Sequence, residues 1–357
     1  MNELLTQFAD RVRAAAAART PLAIRAGGTK DFYGNAPRGE PFDPRACAGI
    51  VAYEPTELVI TARCGTPLAE LEAALDERGQ MLAFEPPHFG AGATVGGCIA
   101  AGLSGPRRAA YGAASGGVRD FVLGAKLLDG QGRVLSFGGT VMKNVAGFDV
   151  ARALAGSLGI LGVILEASIK VLPKPAAEAT RRFEMDEATA LDRTNVWAGQ
   201  PLPVSATAWC AGVLHVRLSG AAAAVRAAGE KLGGEAVDAE CAAAFWRGIR
   251  EHTDAFFAVN APLWRLALPS TAAPLAFGAQ LIEWNGALRW LRSDTPAREV
   301  RARATQLGGH ATLFRGGDRA HGVFTPLAPP VAAIHQRLKK EFDPAGIFNP
   351  GRMYEGL

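Results

Sequence analysis

The sequence predicts an α+β fold in two units with a returning tail, and three observations carry that prediction. Strand-like and helix-like runs alternate over roughly the first 80 residues, glycine clusters recur up to about residue 162, and near residue 176 the composition turns alanine- and tryptophan-rich. At 357 residues, 49% hydrophobic and 20% charged, the chain can bury more than one core and is too apolar to be disordered.

Residues 3–18 form an amphipathic helical pattern, and PLAIRAGGTKDFYG (21–34) is a buried strand running into a glycine turn. GIVAYEPTELVITARCG supplies two further strands, and Thr66-Pro67 opens a helix through Leu75 with proline at its first turn. From Phe84 to Gly117, Gly, Ala, Pro and Ser dominate without periodicity. FVLGAKLLDGQGRVLSFGG then has the signature of a hairpin turning at Asp129-Gly130. Lys174-Pro175 closes this unit. Residues 176–325 mix strand patterns such as WCAGVLHVRL with a helix around 221–232, and the tail, 326–357, is a helix followed by FDPAGIFNPGRMYEGL.

Composition excludes several functions. A net charge of +4 without basic blocks interleaved with aromatics predicts no nucleic-acid partner. The N-terminal stretch has no basic start and apolar h-region, and the longest apolar run, Leu154 to Leu165, falls short of the ~20 residues of a membrane span. Five scattered cysteines without a C-x-x-C pair predict a reducing compartment and no metal or iron–sulfur site.

The glycines point to a ligand. Arg25-Ala26-Gly27-Gly28-Thr29-Lys30 follows a strand, where successive N–H groups can converge on a phosphate oxygen. Thr94, Gly96, Gly97, Gly102, Ser104 and Gly105 form a second cluster, Gly112 leads to a third at Gly116-Gly117, and Gly147, Gly156, Gly159 and Gly162 form a fourth. Glycine lets a backbone lie directly against a ring or pyrophosphate. The pattern therefore predicts a large, flat, phosphate-bearing ligand between subdomains. Neither a Rossmann G-x-G-x-x-G after the first strand nor a P-loop is present.

These segments resemble the FAD-binding domain of the vanillyl-alcohol oxidase and p-cresol methylhydroxylase (PCMH) type: RAGGTK its pyrophosphate loop, ATVGGCIAAGLSG its second FAD segment, and GSLGILGVI the segment facing adenine and ribose. PTELVITARCGTPL, FEPPHFG, GLSGPRR, GGTVMKNVAGFDV and FDPAGIFNPGRMY extend the resemblance nearly end to end, to the FAD-binding E subunits of bacterial glycolate oxidases. The resemblance implies a PCMH-type domain over 1–175, with subdomains at about 1–50 and 51–175, an α+β cap over 176–325, and a tail over 326–357 that returns to the first domain. It places Gly156, Gly159, Gly162, Ile164 and Asn349 at the flavin. The pyrophosphate loop lacks the histidine or cysteine of covalent members, so FAD is expected to be non-covalent.

The implied activity is oxidation of glycolate to glyoxylate, with electrons passing to a homologous FAD-binding catalytic subunit and an iron–sulfur subunit. A cytoplasmic location follows, with any membrane association through those partners. His88 is a candidate base. Arg107 and Arg108 are candidates to fix a carboxylate, with Trp264-Arg265 as a further pair. Related 2-hydroxyacid dehydrogenases carry a paired-histidine and glutamate metal set in the cap that this chain lacks. His310 and His321 are spaced for no known metal site and are expected to be ordinary loop or surface histidines, and the tryptophans to be cap core or interface. The missing set favours a flavin-bearing accessory subunit over a stand-alone 2-hydroxyacid (D-lactate-like) dehydrogenase; a flavin-free scaffold is disfavoured by the glycine segments.

Overall fold

A computed structural model describes residues 1–111, 116–140, 149–275 and 277–357. Helix α1 (Asn2–Ala18) turns Ala9, Val12 and Ala15 inward and ends at Arg19 in a left-handed cap. Behind it, β1 (Leu22–Ile24) pairs in parallel with β2 (Glu40–Phe42), and Leu22 also pairs with Phe348 of the tail.

A five-stranded antiparallel sheet follows: β3 (Ile50–Glu54) and β4 (Val59–Arg63), then, past helix α2 (Leu68–Asp76) and the short β5 (Gln80–Met81), β6 (Val122–Leu128), β7 (Val134–Gly138) and β8 (Val163–Lys170), in the order β3-β4-β8-β6-β7. The β6–β7 hairpin turns at Asp129-Gly130, where the Asp129 carboxylate accepts from Gln131 N and Arg133 N. Strand β9 (Leu172–Pro173) pairs with β5.

Strands β10 (Ala177–Glu184), β11 (Val204–Cys210), β12 (Val213–Gly220), β13 (Glu235–Val237), β14 (Leu263–Ala267), β15 (Ala279–Glu283), β16 (Leu288–Arg292) and β17 (His310–Arg315) form a second, antiparallel sheet in the order β13-β10-β12-β11-β15-β16-β14-β17. Its two faces follow the period of two. Trp264, Leu266, Leu291 and Leu313 pack outward under the helix at Ala297–Gln306, whereas Leu263, Leu281, Trp290 and Phe314 point the other way, against Tyr33, Ala101 and Leu103 of the first unit. The second sheet thus meets the loops and the short helix of the first unit across an apolar seam.

The stretch 84–117, expected to be aperiodic, holds a seven-residue helix, Val95–Ala101. Its sequence, VGGCIAA, has poor propensity, and tertiary contacts override it. Thr94 caps its first turn, and a Cβ on Gly96 would stand 2.7 Å from Cys64 Cβ. The tail helix, Pro329–Phe342, ends in a buried knot: Lys339 Nζ donates to the Asp343 carboxylate and to the carbonyls of Ile160 and Phe348.

Candidate functional site: a glycine cradle and a seam cleft

After β1 the chain turns through a half-buried loop. Among the described residues, none of the backbone N–H groups of Ala26, Gly27, Gly28, Thr29 and Lys30 donates to a protein acceptor. Five consecutive free donors in a turn with Gly28 at φ 69° make an anion-binding concavity. Glycine 27 is obligatory because a Cβ there would lie 1.5 Å from Gly92 O. Lys30 contributes an ammonium whose contacts are the His88 carbonyl (3.1 Å), Thr29 Oγ1 (3.4 Å) and the Phe89 ring, with no carboxylate paired to it; burial lowers its pKa. Arg25 turns aside to Asp31. A cradle of free N–H groups beside a half-buried ammonium that has no salt bridge among the described residues fits a diphosphate.

The second glycine cluster behaves differently. The N–H groups of Val95 and Gly96 donate to Thr66 O and Cys64 O, and that of Gly97 to Thr94 Oγ1, so the three donors after Thr94 are engaged. Gly105 is pressed against Glu85 O, Gly159 against Asn349 Nδ2 and Gly162 against Leu128 O, so protein packing explains these three glycines without a ligand. Ile164 is buried in the core and paired with Leu127 across β6–β8. At Gly156, φ is 83° and a Cβ would meet nothing within 4 Å. Gly112 lies outside the described residues. Asn349 is a tie: its Oδ1 accepts from Ile24 N (2.7 Å) and its Nδ2 donates to Leu158 O (2.6 Å), locking tail, β1 and the loop at 156–159 together.

Between the second sheet and the loops of the first unit lies a cleft of about 320 Å³. Gly102, Ser104 and Ala155 wall it on one side; Arg108 enters it from the turn at 106–111, and Arg265, Trp284 and His310 line it from the second sheet. Arg108 and Arg265 both lie over the Trp284 ring, at 4.5 and 5.4 Å, and neither has a salt-bridge partner among the described residues. Burial lowers the Arg108 pKa, and the neighbouring Arg265 lowers it further. Burial, with Arg265 behind it, also lowers the pKa of His310. Two guanidiniums over one ring, neither in a salt bridge among the described residues, suit an anionic ligand.

Arg107, adjacent in sequence, is 6% exposed and committed elsewhere. It pairs with Glu85 and Glu178, and Arg217 completes the set on Glu85 at 2.9 Å. His88 turns its ring to Glu72 (2.9 Å), while its backbone N–H donates to Glu251. Neither Arg107 nor His88 lines the cleft.

His310, expected to be an ordinary loop or surface residue, is exposed and opens β17 at the cleft, and Trp284, expected in the cap core, is buried in that core and also lines the cleft. Sequence reading missed Glu283, which is 3% exposed, accepts from Trp290 Nε1 (2.7 Å) and has its carboxyl pKa raised by burial to about 7. Its one sequence signal was an acid ending an apolar strand. Among the described residues no cluster of His, Cys, Asp and Glu could hold a metal ion, and no helix is long and apolar enough to cross a membrane.

A family model described as an FAD binding domain matches residues 5–138. The chain is 48% identical over 98% of its length, and 97% of the relative's, to glycolate oxidase subunit GlcE of Escherichia coli (strain K12). It is 28% identical over 52% of its length, and 40% of the relative's, to glycolate oxidase subunit GlcD of Bacillus subtilis (strain 168). A solved alkyldihydroxyacetonephosphate synthase superposes with a TM-score of 0.65 at 14% identity, over 96% of this chain and 73% of that one, and shows the shared fold. With its PCMH-type fold, its FAD-binding domain and this end-to-end similarity, the chain belongs to the glycolate oxidase subunit GlcE family of flavoproteins.

Proposed function

We propose that this chain holds FAD non-covalently, its diphosphate on Ala26–Lys30, and oxidises glycolate to glyoxylate in the seam cleft as one subunit of a glycolate oxidase complex. The observation that carries this reading is the pair of unpaired guanidiniums, Arg108 and Arg265, facing a cleft walled on its other side by the FAD-binding half. When bound, the flavin supplies the two-electron oxidation. The protein's part is to fix the substrate: Arg108 and Arg265 hold its carboxylate, and Trp284 keeps both arginines in place. Water is limited by the apolar seam of Leu103, Trp290 and Phe314.

Electrons then leave through a homologous flavin subunit and an iron–sulfur subunit. We place the chain in the cytoplasm, meeting a membrane only through those partners; its five cysteines are all free, as a reducing compartment keeps them. The alternative favoured by the missing histidine–glutamate set is an accessory subunit whose partner performs the dehydrogenation. Anaerobic addition of glycolate to the purified FAD-loaded chain decides between them. Bleaching of the visible flavin band is expected, and a flavin that stays oxidised until a partner is added would establish the accessory role.

A further inference from the structure

Beside the cleft lies a second, much smaller void of about 10 Å³, the room one water needs. Four buried side-chain atoms on its wall have no hydrogen-bond partner: Ser104 Oγ, Arg250 Nε, His252 Nδ1 and Glu283 Oε2. A native interior leaves few such atoms, and four on one void call for an explanation. Ser104 and Arg265 line both this void and the cleft, so they are the partition between them.

We propose that Glu283 is the proton acceptor of the cleft, reached through Ser104 Oγ and a water in the small void. This rests on the reading of the cleft as the site of 2-hydroxy acid oxidation. In that reaction the substrate carbon loses its hydride to the bound flavin, which is reduced by two electrons. The hydroxyl proton passes to Ser104, whose own proton moves through the water to Glu283 Oε2, and a C=O bond forms. Carboxylate becomes carboxylic acid, and the proton later returns to solvent.

The surroundings leave Glu283 as the group that can do this. His252, stacked on Phe257 at 3.9 Å and edge-on to Trp290, has its pKa driven well down by burial and then by Arg315 and Arg265, so it stays neutral. Arg250 on the same wall contacts Glu251 at 2.8 Å. Around Glu283, burial dominates and raises its pKa; Glu85 raises it too, against the Trp290 hydrogen bond, Arg265 and Arg217. An acid held near neutrality can exchange a proton in both directions.

The test uses the full chain loaded with FAD, as wild type, Glu283→Gln and Glu283→Asp. Infrared titration of the wild type is expected to show a buried carboxylic-acid C=O band that disappears on passing upward through neutral pH and is absent from Glu283→Gln. Stopped-flow reduction by glycolate is expected to rise with pH through the same range in the wild type. In Glu283→Gln, at unchanged FAD content, it should be slower by ~10²–10⁴-fold and flat with pH, with partial recovery in Glu283→Asp. A Glu283→Gln protein that keeps wild-type rate and pH profile, or keeps the infrared band, overturns the assignment while leaving the cleft reading intact. A wild type whose flavin glycolate does not reduce removes the cleft reading and this inference with it.

Discussion

Two buried polar clusters among the described residues, at the tail and at the seam, are built on opposite terms. At the tail, Lys339 spends all three donors on Asp343, Ile160 O and Phe348 O, Asp343 accepts from Ile347 N and Phe348 N, and Asn349 closes Ile24 N and Leu158 O. At the seam, Ser104, His252 and Glu283 keep an atom unsatisfied, and Arg108 and Arg265 keep charges unpaired. A satisfied cluster specifies one conformation, whereas an unsatisfied one is held open at a cost by the surrounding apolar packing. On the proposed reading, stability and chemistry thereby fall to different regions of the molecule.

Substitutions on the two sides should therefore act with opposite sign. The largest effect is expected from Lys339→Met, which strands the Asp343 carboxylate in the core and should cost about 3–5 kcal/mol, measured by urea unfolding. Next comes Glu283→Gln, in the stabilising direction. Burial raises the Glu283 pKa from 4.5 to about 7, so the stability linked to its proton is complete below pH 4.5 and lost as pH rises through 7. The variant, free of that loss, should exceed the wild type by about 3 kcal/mol above pH 7 and match it at pH 4.5. Parallel unfolding curves at both pH values check this, and a gap of equal size at each would remove the link to Glu283.

Asn349→Ala orphans two buried backbone groups and should cost about 2 kcal/mol, seen as a lower melting temperature of the FAD-free chain. The smallest effect on stability should come from the double variant Arg108→Met, Arg265→Met, about 0.5 kcal/mol per site and upward, because repulsion between unpaired charges is relieved. Its glycolate affinity should nonetheless fall ~10–100-fold, read from the substrate dependence of flavin reduction. A double variant that loses several kcal/mol would place those arginines with the tail cluster instead.

Much of this was legible in the sequence because it follows from local periodicity. Strand β14 alternates Leu263, Arg265, Ala267 against Trp264, Leu266, and the structure turns the first set to the seam and the second outward. The hairpin at Asp129-Gly130 and the proline-led helix after Thr66 were equally local. What escaped depends on distant strands. Glu283 closes an apolar run; its chemistry comes from Trp290 on the adjacent strand, from Arg265 on the strand beyond that, and from Ser104 in the other half. Arg107 and Arg108 are indistinguishable as a dipeptide, yet one is neutralised by Glu85 and Glu178 and the other rests on Trp284. Glycines show the same limit: the free N–H row at Ala26–Lys30 and the fully engaged turn at Val95–Gly97 look alike as text.

The Arg107 set has one further consequence. Glu85 and Arg107 belong to the FAD-binding half, Glu178 and Arg217 to the facing sheet, and their ion pairs act as a clasp between the layers. Swinging the layers apart would break both pairs that cross between them, Arg107 with Glu178 and Arg217 with Glu85. If FAD seats between the layers as proposed, its residence is then set by how often the clasp unlatches, and no covalent bond is needed to keep the cofactor in place.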